Sequence, residues 1–184
     1  MPNKKRFKAK KERAKAISGI LSVNARGTGY LRSLDKTEED IEIQNSDLNT
    51  ALHGDAVLVN LLPARKDQRI RGKVISIQKR AKKVFAGVLE KEKDFYYLFP
   101  DDRKMYADII VSNDSVIKTG AQIKQKVLVK ITRWKNNRPV HQNGHPSLTK
   151  VGISRKTTSA FVGEIVQVLG KAGEHNTEMK SILY

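Results

Sequence analysis

Residues 19–43, GILSVNARGTGYLRSLDKTEEDIEI, and residues 87–111, GVLEKEKDFYYLFPDDRKMYADIIV, follow one pattern. Gly19 answers Gly87, Tyr30-Leu31 answers Tyr97-Leu98, and Asp40-Ile41 answers Asp108-Ile109. The later copy reads as three short β-strands at residues 87–90, 95–99 and 108–111, with charged turns at 91–94 and 100–104. Each copy runs on into an apolar strand, AVLVNL at 56–61 and VLVKI at 127–131. Each then closes on a strand that opens with glycine, GKVISI from Gly72 and GEIVQV from Gly163. Five strands, given twice over, leave an all-β chain as the fold class, because a sequence repeat means a repeated structural unit.

Each copy is close in size to the five-stranded Greek-key barrel known as the OB-fold, whose strand 2–3 face binds oligonucleotides. The chain therefore predicts two tandem barrels of that kind. In the second barrel, Phe95, Tyr97 and Phe99 alternate along one strand face while Tyr96 and Leu98 take the other. An aromatic row of this sort is either half of a core or a platform for stacked bases. The sequence alone leaves both readings open.

Charge favours the platform. Thirty-six Lys and Arg against nineteen Asp and Glu leave a formal net charge of +17, an excess that points to a polyanion. An anionic membrane fits less well, because no apolar run reaches the ~18 residues of a spanning helix. The stretch at 17–23 is too short, and Ser18, Gly19 and Ser22 interrupt it as a secretion signal. With no cysteine there is no disulfide and no thiolate metal site, as suits a reducing cytoplasm. The positive charge sits in three places. Residues 1–16 carry eight Lys or Arg and one Glu. Residues 65–83 carry nine basic residues against Asp67, with Arg69, Arg71 and Lys73 alternating on one strand face and Lys79, Arg80, Lys82 and Lys83 leading into the second copy. Residues 133–160 carry six basic residues and no acidic one, broken by Pro139, Gly144, Pro146 and Gly152. Residues 24–63 run the other way, with seven acidic residues against three basic.

The run Gly27-Thr28-Gly29-Tyr30, then Glu39-Asp40-Ile41-Glu42-Ile43, then Ala51-Leu52-His53-Gly54-Asp55, resembles the cold-shock domains at the N-terminus of bacterial ribonuclease R. F-x-Y-L-F-P-D-D at residues 95–102 resembles the second such domain, and GEIVQVLG with EMKSIL resembles the segment that leads from it toward the nuclease. The likeness runs from residue 17 to the end, and residues 51–55 are its most diagnostic phrase. The layout it implies is a basic flexible or helical tail at 1–16 and a first cold-shock-like OB domain at 17–84. A second follows at 85–170, with a basic loop insertion at 133–160, and residues 171–184 begin a linker toward a catalytic domain. The function it implies is capture of single-stranded RNA for a 3′-to-5′ exoribonuclease. Two departures weaken the first barrel: Thr28 and Glu42 stand where the family favours aromatics, and a carboxylate on a binding face repels phosphate. Ile110 takes the matching place in the second barrel.

The expected RNA-binding residues are Tyr30, Phe95, Tyr97, Trp134, Arg69, Arg71, Lys73, Lys79, Arg80, Lys82 and Lys83. Trp134 reads equally as a cap on the second barrel's core. No catalytic or metal-binding residue is assigned. His53 and Asp55 read as a structural turn around a positive-φ Gly54, and Asp101-Asp102 as turn chemistry. His141 and His145, four apart, have Pro146 beside them and no third ligand. Metal-dependent hydrolysis of RNA needs clustered carboxylates, so Mg²⁺ is expected only for the separate catalytic domain. The chain by itself is expected to need no cofactor and to act as a cytoplasmic monomer, with the ribosome or structured RNA as further partners. The competing readings are a stand-alone cold-shock RNA chaperone and a ribosome-associated structural protein. The apolar end Ile182-Leu183-Tyr184, with nothing to pack against, speaks against both.

Overall fold

The computed structural model describes residues 16–33, 40–63, 69–134 and 161–183. The expected tail up to residue 15, the cations Arg65 and Lys66, and the 135–160 part of the basic insertion with His141 and His145 lie outside the described residues. The first group of strands is β1 (Ala16–Val23), β2 (Gly29–Ser33), β3 (Ile41–Ile43), β4 (Ala56–Leu61) and β5 (Gly72–Lys79). The second is β6 (Val84–Glu92), β7 (Phe95–Pro100), β8 (Ile109–Val111), β9 (Gln125–Trp134) and β10 (Phe161–Lys171).

Both groups share one topology. The first forms a sheet in the order β3-β2-β1-β4-β5, and the second a closed barrel in the corresponding order β8-β7-β6-β9-β10. Its closure is the parallel pairing of β8 with β10. The first sheet makes the same parallel approach more sparingly, through a bridge between Glu42 and Arg71 and a hydrogen bond from Glu42 N–H to Ile70 O at 2.9 Å. Strand register bears out the repeat residue by residue. Leu31 lies between Leu21 and Ile41, and Leu98 between Leu89 and Ile109, all six buried. The glycines that open the fifth strands have a common cause. A Cβ at Gly72 would run into the Val59 side chain, and one at Gly163 into Val129. These are equivalent points where the fifth strand crosses the fourth at close range.

Between β8 and β9 lies a helix that the sequence reading did not anticipate, α1 (Asn113–Thr119), ended by Gly120 at φ 65°. The first barrel has only a 3₁₀ turn, Asn45–Asp47, at the matching place. Seven residues give too little period to show in sequence, and the polar start Ser112-Asn113-Asp114 resembles a loop. Tertiary contact supports α1: Ser115 Oγ donates to Ser112 O and accepts the Ile165 N–H of β10 at 3.2 Å.

The two barrels meet over one continuous apolar core, to which Ala51 and Leu52 contribute from the first and Met105, Tyr106 and Phe161 from the second. The Tyr106 hydroxyl donates to Ala51 O at 3.2 Å, and its ring stands edge-on to Phe161 at 6.2 Å. Beside this contact lies Asp55, fully buried. Its carboxylate accepts Leu52 N–H and Ala81 N–H, each at 2.9 Å, and the Arg80 guanidinium at 2.9 Å. Arg80 also donates to Thr50 O at 2.7 Å and to Thr50 Oγ1 at 3.1 Å, and lies 3.6 Å from the centroid of the Trp134 ring. Trp134 in turn meets Phe161 edge-on at 5.7 Å. Residues 51–55 are thus a structural corner, as the sequence suggested. Gly54 takes φ 86°, and Gly54 N–H and Asp55 O continue the ladder with Leu21. His53 supplies the next rung: Val23 N–H donates to its Nδ1 at 3.1 Å.

Helix α2 (His175–Ile182) follows β10 and docks by its polar side. Buried Lys126, in β9, donates to Asp101 at 2.9 Å, to Ser181 Oγ at 3.3 Å and to Glu178. Burial draws the Lys126 pKa down, but the hydrogen bonds to Glu178 and Asp101 outweigh it and the net shift is upward. Ile182 and Leu183 are about four-fifths exposed, at 79% and 81%.

Two predictions test the corner. Asp55→Ala strands a guanidinium and two backbone donors, so it should lower unfolding stability by about 3–5 kcal/mol in urea denaturation. Asp55→Asn should fare little better, because its NH₂ faces donors. A change under about 1 kcal/mol for Asp55→Ala would mean that the corner holds without its charge. His53 has its pKa pushed below 6.5 by burial and then by Lys104, with Asp102 opposing. The unfolded chain therefore takes up this proton first as pH falls below about 6.5, so the His53 contribution to stability is present above that value and declines beneath it. Proton NMR titration should give His53 a lower midpoint than a histidine in the urea-unfolded chain; an equal or higher midpoint would contradict the buried rung.

Candidate nucleic-acid interface

Strand alternation decides which side chains of β7 meet solvent. Leu98 is buried and Tyr96 packs against the core, so Phe95, Tyr97 and Phe99 point outward. Phe95 is 54% exposed, and Tyr97 and Phe99 are half-buried. Register completes the surface: Phe95 lies opposite Glu92, Tyr97 between Glu90 and Ile110, and Phe99 opposite Val88. The result is an apolar row with carboxylates along its β6 side. Lys124 offsets one of them by an ion pair to Glu90. Burial, then Glu92 and Asp108, push the Tyr97 hydroxyl pKa up, so the ring remains neutral at physiological pH.

The same construction in the first barrel is poorer in rings. Tyr30 is half-buried and lies between Ser22 and Glu42, as Tyr97 lies between Glu90 and Ile110. Thr28 sits before β2 in a turn, where Asn24 Oδ1 accepts its N–H at 3.0 Å. Glu42 is not a bare charge. Arg69, 75% exposed, approaches it at 3.8 Å, and Arg71 bridges to its backbone. Tyr30, Glu42, Arg69 and Arg71 therefore form one surface across β2, β3 and the start of β5, a neighbourhood that residue spacing did not disclose.

The basic stripe divides. Arg71 is half-buried and Lys73 exposed on the outer side of β5, opposite buried Gly72 and Val74. Register shifts at Ile75 and Gln78 turn the strand, yet Lys73, Ser76 and Lys79 still pair with the outward residues Asn60, Leu58 and Ala56. Lys79 borders a cleft of about 310 Å³ lined by Ile20, Gly54, Ala56, Arg80 and Ala81. Lys83 is exposed, and the Lys82 ammonium lies 5.2 Å from the Phe85 ring. Arg80 differs from the rest: Asp55, Thr50 and Trp134 engage its guanidinium, so the junction holds it. Trp134 follows suit, its ring covered by Arg80 and packed against the core, which is the capping role. Asp101 is paired with Lys126, and Asp102 accepts Lys104 N–H at 2.9 Å, so both serve the turn. Among the described residues no three His, Asp or Glu side chains come together as a metal site, and no helix is long and apolar enough to cross a membrane.

Comparison with known proteins agrees with this architecture. Residues 19–77 match the family model of the ribonuclease B OB domain, and residues 97–146 that of the cold shock domain. Ribonuclease R of Vibrio cholerae is 30% identical over 164 residues, a match that takes in 87% of this chain and 17% of the relative. The chain thus spans about a sixth of that relative's length. In structure it is similar to Mycoplasma genitalium RNase R in complex with ribose methylated single-stranded RNA, with a TM-score of 0.69 and 23% identity over 91% of this chain and 23% of that one. It is also similar to yeast Ssd1, a pseudonuclease, at a TM-score of 0.66 and 20% identity, over 91% of this chain and 24% of the other. At such identities the structural likeness speaks for the fold, while the family matches and the Vibrio cholerae relative place the sequence. Through its two barrels, the chain belongs to the OB and cold-shock domains that form the N-terminal region of the ribonuclease R family.

Proposed function

We propose that this chain binds single-stranded RNA, as the RNA-capturing region of a ribonuclease R-like 3′-to-5′ exoribonuclease. One observation carries the reading: Phe95, Tyr97 and Phe99 are turned outward on the second strand of a closed OB barrel. Successive bases stack on such rings whatever their identity, while cations along the path hold the backbone. Arg69, Arg71, Lys73, Lys79, Lys82 and Lys83 supply cations among the described residues. The net charge of +17 makes long-range attraction to RNA strong. Glu42, paired with Arg69, withdraws one of these cations, and among the described residues Tyr30 is the only ring of its surface, so the second barrel carries the stacking. Hydrolysis of the captured strand, and the Mg²⁺ it calls for, belong to a catalytic domain outside this sequence. The protein works as a monomer in the cytoplasm. The relatives favour this reading over a free-standing RNA chaperone or a ribosomal protein.

Purified protein with Mg²⁺ and a labelled oligonucleotide should retard the RNA without shortening it. Release of mononucleotides that follows the protein through every purification step would refute the division of labour. Neutralising ~6 phosphates implies a log–log salt slope of about −4 for single strands. Removal of residues 1–15 should flatten that slope and leave base preference unchanged. Phe95→Ala and Tyr97→Ala should each weaken binding by roughly several-fold to a hundred-fold, the worth of ~1–3 kcal/mol of stacking. Because both rings face outward, melting temperature should change little. Tyr30→Ala should cost less, and Glu42→Phe should tighten binding by adding a ring and releasing Arg69. A folded Tyr30 variant that loses as much affinity as Tyr97→Ala would reverse the ranking of the barrels.

A further inference from the structure

At the seam between the barrels, His53 Nε2 and Lys104 Nζ stand 3.0 Å apart. The contact looks like a hydrogen bond, yet proton counting forbids it. Neutral imidazole has one donor and one acceptor nitrogen. Val23 N–H points at Nδ1 from 3.1 Å, and Nδ1 is the acceptor for this part-buried backbone donor. A backbone N–H left unpaired there would be costly, so Nδ1 keeps its lone pair and the proton resides on Nε2. A lysine ammonium has three donors and no acceptor. The two groups that meet at the seam are therefore both donors. Protonating the imidazole does not relieve this, since it would set a second donor against Val23 N–H. Burial, then Lys104, accordingly hold the His53 pKa down against the opposing charge of Asp102.

Two converging donors call for a shared acceptor, and the surroundings decide its charge. The turn that carries Lys104 is Asp101-Asp102-Arg103-Lys104, nominally neutral. Asp101 is drawn away by Lys126 at 2.9 Å, and Asp102 accepts the Lys104 backbone N–H at 2.9 Å. Arg103 and Lys104 are both exposed. An anionic oxygen is the acceptor that fits one imidazole N–H and one ammonium. From this geometry we infer that His53 Nε2–H and Lys104 Nζ together bind a backbone phosphate oxygen of single-stranded RNA where the strand passes from one barrel to the other. The inference rests on the RNA-binding reading above and adds a defined phosphate subsite to it. It gives the His53 side chain two tasks: one nitrogen closes the β1 ladder and thereby points the other, already protonated, at the ligand. His53 is thus the half of the subsite held by the β1 ladder, and Lys104 the exposed half.

The test uses the whole chain and a short single-stranded RNA in which one phosphate at a time is replaced by an uncharged methylphosphonate. With the unmodified oligonucleotide, Lys104→Gln should weaken binding by about two- to fivefold, as loss of one exposed ion contact does. It should make the log–log salt slope less negative by about 0.7, with melting temperature unchanged. In the wild-type protein, one replacement position in the register of the seam should cost affinity. In Lys104→Gln that position should cost nothing further, while other positions cost the same in both proteins. In ¹⁵N-labelled protein, the His53 Nε2 resonance should move on addition of the oligonucleotide and should report the Nε2–H tautomer in the free protein. Equal replacement costs at every position in the two proteins would overturn the subsite, as would an Nδ1–H tautomer. Movement of the His53 signal with inorganic phosphate but not with RNA would overturn its assignment to the strand. Failure of the wild-type protein to bind any oligonucleotide sinks the RNA-binding reading and this inference with it. Normal wild-type binding with an unaltered Lys104→Gln variant sinks the inference alone.

Discussion

A buried carboxylate is the constraint around which this molecule is arranged. Asp55 is excluded from water, and a bare charge in that position would cost far more than a small domain's net stability. Its oxygens are therefore committed to Leu52 N–H, Ala81 N–H and Arg80. Each commitment fixes a different piece of chain. Leu52 belongs to the corner that enters β4, and Ala81 lies on the connection into the second barrel. Arg80 carries the constraint onward, because its guanidinium is flat enough to bond Thr50 along its edge while its face lies on Trp134. Trp134 ends β9 and packs on Phe161, which begins β10. One buried negative charge thus links the last strands of the second barrel to the fourth of the first. A flexible tether would not give the strand-binding faces a fixed relation to each other; this network does.

On the outward faces, several carboxylates are paired with a nearby cation. Glu42 has Arg69, Glu90 has Lys124, Asp101 has Lys126. Such pairs contribute little to stability where they are exposed. They matter by fixing which cations remain free for a ligand. The first barrel has its acidic residue where the second has Ile110, and so commits a cation, Arg69, to the pairing. Two units of one topology are thereby made unequal by Glu42 in the third strand and by Thr28 before the second. Helix α2 is held by Lys126 bonding Glu178 and Ser181, while Ile182 and the Leu183 that follows it face outward.

The sequence by itself determined the ten-strand repeat, the sharing of one strand face by Phe95, Tyr97 and Phe99, and the corner at residues 51–55. These features are local. Alternation has a period of two and sets Phe95, Tyr97 and Phe99 on one face and Tyr96 and Leu98 on the other, while the burial of Leu98 in the closed barrel decides that the rings face out; a glycine followed by aspartate at a strand entry states its own turn chemistry. Only the tertiary structure decided what the charges do. Nothing near Arg80 in sequence separates it from Lys79 or Lys82, yet it alone is drawn onto Asp55 and Trp134, residues 25 and 54 positions away. The pairing of Glu42 with Arg69, the burial of Lys126 and the meeting of His53 with Lys104 are likewise long-range. A backbone pattern is written in neighbouring residues because sterics act between neighbours. A charge is assigned by whichever partner the closed fold brings within a few ångströms, and that depends on the whole course of the chain.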